Sequence, residues 1–410
     1  MVKRIQEDRN AVSFGDTASI DAFGRARFSE PYTLHESALQ YDLQPLLWET
    51  VETNGTVTHL PNESSADIVI GQADGDYAIR QTKKYIRYES GKSQLVMMSG
   101  VLGEQKTNVV KRIGYFDDSN GLFFELNGTD LCVCRRSNST GTPTDYKVPQ
   151  SSWNIDKMNG QEPSRVVIDP EKVQIFIIDF EWLGSGRIRF GFVIDGLVYY
   201  VHEELVANVL DGVYMTTGNL PVRYEIRNVG TTASDSSIKQ ICNSVISEGG
   251  AEEFGYKSNA SNGTTGVSVG DTNYVAVLSV RPKLLFNSIV NRGQIIPTHF
   301  SLITSSADIH FRIEENATLT TPSWTSVGSS SISEYSVNDA ITASGRLLDS
   351  DYALSGAGAS TAGNFEEELN TKIPLTLSFD GTSSDIITIS AKAISGTATC
   401  YASLTWREIF

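Results

Sequence analysis

Two acids have the spacing to do chemistry: Asp179 and Glu181, in the run FIIDFEW that spans residues 176–182. Alternate residues of a strand share a face, so a D-x-E there sets two carboxylates side by side. Such a pair divides acid and nucleophile work in glycoside hydrolysis when its separation is right. Here neither Phe176 to Ile178 nor Leu183 adds another acid in register. The simpler expectation is a carboxylate pair bonded to Arg187 or Arg189 on the following run.

Other reactive groupings are missing from the chain. The five histidines are His35, His59, His202, His299 and His310; no two stand four apart, and no H-E-x-x-H occurs. There is no G-x-S-x-G elbow and no P-loop, and GSGRIRFG reads as a hairpin turn with no helix to follow it. Asp117 to Gly121 (DDSNG) supplies part of a calcium loop, and a tight turn accounts for the same residues. Cys132 and Cys134 fall on one strand face, and with Cys242 and Cys400 they lack the C-x2-C spacing of a zinc site. Buried reduced thiols are expected. No catalytic residue, metal or cofactor is therefore assigned. Trp153 and Trp324 are candidate glycan contacts, with Trp182, Tyr199 and Tyr200 behind them; core filling is the competing explanation for each.

The elements that would position these residues are strands. Asn120-Gly121 and Asn127-Gly128 separate apolar runs, the strongest short-range hairpin signal. Residues 174–203 read as three strands of a meander, turning at LGSG and at Asp195-Gly196. Both faces of its first strand begin apolar, which predicts a central strand covered on both sides. Arg187 and Arg189 alternate with Ile188 and Phe190, which predicts one polar and one buried face. The β-branched run 237–250 reads as strand. The fold class is all-β: a jelly-roll-like antiparallel sandwich over 61–250, a linker over 251–266, and a second β-sandwich over 267–410. Three antiparallel strands are expected to close the second sandwich, after a short helix at NFEEELN. Residues 1–60 read as an extended arm whose aromatics cannot be buried within it. Its candidate interaction residues are Phe23, Arg25, Arg27, Phe28, Tyr32, Tyr41 and Trp48.

The chain has 410 residues and a net charge of −16, a sign that repels phosphate backbones. Nucleic acid is not an expected partner. Nor is a membrane, since no run of ~18 apolar residues occurs. Low cysteine use and an N-terminus without an apolar core suit synthesis in a reducing cytoplasm.

Several long segments resemble a group of virion structural proteins from tailed bacteriophages: 21–49 (DAFGRARFSEPYTLHESALQYDLQPLLWE), 114–128 (GYFDDSNGLFFELNG), 177–196 (IIDFEWLGSGRIRFGFVIDG), 214–226 (YMTTGNLPVRYEI) and 241–250 (ICNSVISEGG). The resemblance covers about the first 250 residues. Beyond them FNSIVNRGQIIP and PSWTSVGSSS look like the β-sandwich that follows in such proteins. The resemblance implies a non-enzymatic virion component, a homo-oligomer made in the host cytoplasm, at the head, a head fibre or the tail. The arm's stranded aromatics point to docking on neighbouring virion proteins, with the C-terminal sandwich displayed outward, and the resemblance brings no catalytic residues. The alternatives are a carbohydrate-binding receptor module of a phage fibre and a glycan hydrolase using Asp179 and Glu181.

Overall fold

The computed structural model describes residues 19–27, 30–250, 255–355, 361–364 (backbone only) and 374–410. Phe28 lies outside the described residues, as does 365–370 of the expected helix. Among the described residues there is no α-helix, and one 3-10 turn, Gln150–Ser152, interrupts the strands. The chain divides into two compact units. The first holds Met1–Gln44, Thr50–Gln81 and Ile86–Ala251; the second holds Pro45–Glu49, Thr82–Tyr85 and Glu252–Phe410.

The first unit is a jelly-roll-like antiparallel sandwich. Its strands are β1 (Pro31–Ala38), β2 (Trp48–Thr53), β3 (Gly55–Leu60), β4 (Ser65–Ile70), β5 (Tyr77–Thr82), β6 (Gln94–Val101), β7 (Val109–Phe116) and β8 (Gly121–Asn127). They continue with β9 (Asp130–Ser137), β10 (Thr144–Pro149), β11 (Gln174–Phe180), β12 (Arg187–Ile194), β13 (Leu197–Leu205), β14 (Val222–Asn228) and β15 (Ser236–Glu248). One sheet runs β13-β12-β11-β6-β15-β4-β3, with β1 also on β15; the other runs β10-β9-β8-β7-β14-β5-β2. The expected hairpins and the β11–β12–β13 meander are present.

Period-2 alternation decides which side chains enter the core. Phe176 on β11 and Phe190 and Phe192 on β12 point inward and surround Phe124 of β8, with ring centroids 5.0–5.6 Å apart. Each such pair adds about 0.5–1.5 kcal/mol beyond the area it buries. β11 lies between β12 and β6 and is buried on both faces over Phe176–Phe180, as its sequence predicts. Arg189 departs from the expected polar face: it is fully buried, because Asp179 lies opposite it on β11.

The Asn120-Gly121 turn is held by Asp117, whose Oδ1 accepts from the amides of Ser119 and Asn120 at 2.8 and 2.7 Å. Gly121 has φ +147°, and a Cβ there would sit 2.0 Å from the Phe116 Cβ. Gly121→Ala should therefore cost roughly 1–3 kcal/mol in denaturant titrations, whereas a change below ~0.5 kcal/mol would mean the turn can rearrange.

Three expectations about organisation are corrected. Residues 31–60, expected as an extended arm lying on its own domain or on a neighbouring subunit, form strands instead: β1 pairs with β15, and β3 pairs with β4. Residues 256–261 of the expected linker form a strand on Thr397–Ile409. The C-terminal stretch carries two long strands, Ile387–Ala393 and Thr397–Ile409, which belong to different sheets.

The second unit is also a sandwich. Thr397–Ile409 pairs with Tyr256–Ser261, Val267–Gly270 and Gln294–Ser305 in one sheet. In the other, Ile387–Ala393 lies between Val275–Pro282 and Ile309–Glu315. Phe300 meets Phe311 between the sheets. Trp406 is fully buried, its indole N–H shared between Ser333 Oγ (2.9 Å) and Glu408 Oε1 (3.0 Å).

Candidate functional site

Asp179 is fully buried on the outward face of β11 and is saturated with donors. Its Oδ2 accepts from Arg27 (2.5 Å), from Arg189 and from the Tyr200 hydroxyl (2.8 Å); its Oδ1 accepts from Ser93 Oγ (2.8 Å). Arg189 and Glu203 are cross-strand partners, and Glu203 in turn holds Arg187 at 2.8 Å. The pairing with Arg189 follows from register. The contribution of Arg27 had no sequence signal, since it lies 152 residues away.

Glu181 follows the last residue of β11. Its Oε1 accepts from the backbone N–H of Arg187 at 2.9 Å, while its Oε2 is buried without a partner. Burial raises its carboxyl above the ordinary range, against the pull of the Arg187 amide. Of the two acids, one is consumed by ion pairs and the other is tied to the turn backbone.

Residues 19–27 lie over this face. Arg189 donates to the Ile20 carbonyl at 2.6 Å, and Arg27 also pairs with Glu248 at the end of β15. Ile20, Asp21 and Ala22 are buried. Arg25 pairs with Asp21 and stacks on Phe23, its Cζ 4.5 Å from the ring centroid. These residues thus dock on their own unit.

The expected interaction residues therefore divide. Phe23, Arg25 and Arg27 make intramolecular contacts, and Trp48 is 2% exposed. Tyr32 and Tyr41 face outward, 45% and 85% exposed. Tyr41 sits on a loop fixed by Gln44, whose side chain accepts from Ser37 and donates to the Ala38 carbonyl, and whose amide donates to Asp42 at 2.8 Å.

The candidate glycan contacts divide too. Trp153 is a core residue: it is 2% exposed, packs near Phe192 and donates to the Val148 carbonyl. That corrects its reading as a contact. Trp182 donates to the Met215 carbonyl, and Tyr200 to Asp179. Trp324 lines a groove of the second unit, together with Arg281, Glu49, Lys83 and Asp385. Only Trp324 among these was singled out by sequence; the others come from segments far apart in the chain.

The outward face of the second sheet of the first unit carries a charge network that the sequence did not announce. Arg112 pairs with Glu125 (2.8 Å) and Glu225 (2.7 Å), Arg136 pairs with Asp145, and Lys147 reaches Glu125. Phe116 and Phe123 lie beneath these guanidinium groups. Cys132 and Cys134 complete this cluster as free, buried thiols. Among the described residues, no group of three or more His, Cys, Asp or Glu is placed to hold a metal ion.

No protein-family model matches the chain, and no curated protein matches it. Solved structures similar to about half of it include a legume lectin-like domain from Entamoeba histolytica, at 9% identity and TM-score 0.32, covering 52% of this chain and 97% of that one. The Emp47p carbohydrate recognition domain matches at 10% identity and TM-score 0.34, over 52% and 96%. A Bacteroides ovatus mixed-linkage glucan GH16 protein matches at 9% identity and TM-score 0.35, over 52% and 99%. At these identities and TM-scores the likenesses bear on neither site nor ligand.

Proposed function

We propose that this chain is a non-enzymatic structural component of a tailed-phage particle. In this reading it docks on neighbouring particle proteins through the outward tyrosines of its N-terminal region. The observation that carries the reading is Tyr41, 85% exposed on a loop held rigid by Gln44. A large aromatic fixed in the open loses little freedom on being covered, and such residues dominate interface energetics. The long segments resembling virion structural proteins support the reading, and residues 21–49, which carry Tyr32 and Tyr41, are among them. The role of Asp179 as an ion-pair hub supports a structural face rather than a reacting one.

Removing the first 50 residues is the wrong test, because β1 belongs to a sheet of the first unit. The double variant Tyr32→Ala, Tyr41→Ala leaves that sheet intact. It should melt like the parent, since both side chains are solvent-facing. Its incorporation into particles, measured as the particle-bound fraction, should fall by at least tenfold, from about 2 kcal/mol per lost anchor. Normal incorporation would remove the reading.

A further inference from the structure

We infer that the groove around Trp324 in the second unit is a binding site for a neutral saccharide. The groove has a volume of about 480 Å³, within the ~300–1,000 Å³ of small-molecule sites. A sugar ring has an apolar C–H face and a rim of hydroxyls, so it needs an aromatic plane beside fixed donors and acceptors. The groove offers both.

Trp324, which lines the groove, supplies the plane through the ring face opposite Arg281. The Arg281 guanidinium lies 4.0 Å from its ring centroid and is itself anchored by Glu334 at 2.7 Å. Arg281 and Glu334 are cross-strand partners, so register fixes the stack. Residues 376–378 and 383–386 supply another part of the lining. Asp385 holds it by accepting from the Thr376 amide (3.0 Å), the Thr376 hydroxyl (3.2 Å) and Asn316 (2.9 Å). Arg292 adds bonds to the Ser378 and Phe379 carbonyls at 2.8 and 2.7 Å. A wall fixed in this way need not be ordered on binding.

Hydrogen-bonding capacity is left over. Glu49 Oε2 accepts from the Phe379 amide at 2.7 Å, which leaves Oε1 to a ligand. Ser384 Oγ is buried without a partner. Burial raises the Glu49 carboxyl despite that amide and the nearby Lys83, so this acid gains from further donors. Sugar hydroxyls are such donors.

Charge selects the class of sugar. The ionisable side chains lining the groove are Glu49 and Asp385 against Lys83 and Arg281, which cancel. A carboxylated or sulfated sugar would find its extra charge uncompensated.

The test uses the full chain on an array of neutral and acidic oligosaccharides, with chitotriose, maltotriose and lactose titrated in solution. Retention on neutral oligosaccharides is expected. Trp324→Ala should weaken it at least tenfold, the scale of a lost aromatic anchor. Glu49→Gln, which keeps an oxygen for the Phe379 amide, should weaken it several-fold, with both variants melting like the parent. No retention, retention of acidic sugars alone, or affinity unchanged in both variants would overturn the inference. The Tyr32→Ala, Tyr41→Ala variant should bind sugar undiminished, so failure of this site and failure of particle docking are separable.

Discussion

Asp179→Ala is expected to destabilise the first unit by roughly 3–5 kcal/mol, read from the midpoint and slope of chemical denaturation. The cost comes from what the aspartate leaves behind. Arg189 is fully buried and would lose its ion pair with Asp179. Arg27 would lose one of its two ion-pair partners among the described residues, and the Tyr200 hydroxyl and Ser93 would lose their acceptor. Glu181→Ala should cost clearly less, because one of its oxygens has no partner and burial already disfavours its charge. A loss below about 1 kcal/mol for Asp179→Ala would show that the cluster is not a structural lock. The same pair of variants bears on the hydrolase reading: a carboxylate kept for reaction is usually replaceable without loss of stability, and a hub is not.

The second large effect is expected in acid. Glu225 is buried on β14 among Arg112, Arg227 and Arg223. Burial alone would raise its carboxyl, but Arg112 first, then Arg227 and Arg223, bring it down to about 2. A carboxyl depressed in the folded state stabilises fully above its unfolded value of ~4.5, and that contribution is lost as pH falls toward 2. The drop is on the order of 3 kcal/mol. Glu225→Gln should therefore be less stable than the parent at neutral pH, and its stability should fall less steeply between pH ~4.5 and 2. A parallel acid limb in the two proteins would mean that Arg112 and its neighbours do not depend on Glu225.

Much of the fold was legible because its signals are local. Asn120-Gly121 and Asn127-Gly128 marked two hairpins, and the alternation in 174–203 marked the meander. The pairing of Asp179 with Arg189 could be anticipated, since adjacent strands of a short hairpin meet in predictable register. Other features were hidden because partners far apart in sequence make them. Residues 31–60 looked like an arm, since Pro31 and Pro45 and mixed polarity blur the strand period. Their pairing with 65–70 and 242–248 decides the matter. Trp153 and Trp324 are indistinguishable by type, yet one packs near Phe192 and the other lines a groove. The groove itself gathers Glu49, Lys83, Arg281 and Asp385, which no sequence period connects.

The two proposals place docking and recognition on different units. The first unit turns Tyr32 and Tyr41 outward from a framework held by ion pairs, and the second carries the open groove. Docking by one and recognition by the other makes different demands. A docking face needs large rigid side chains, whereas a recognition groove needs spare hydrogen-bonding groups.

The most direct measurement is cryo-electron microscopy of purified particles, with the position of this chain traced in the density. The account predicts ordered density for both units, with Tyr32 and Tyr41 covered by a neighbouring particle protein. Particles that lack the chain, or density in which both tyrosines stay bathed in solvent, would contradict it.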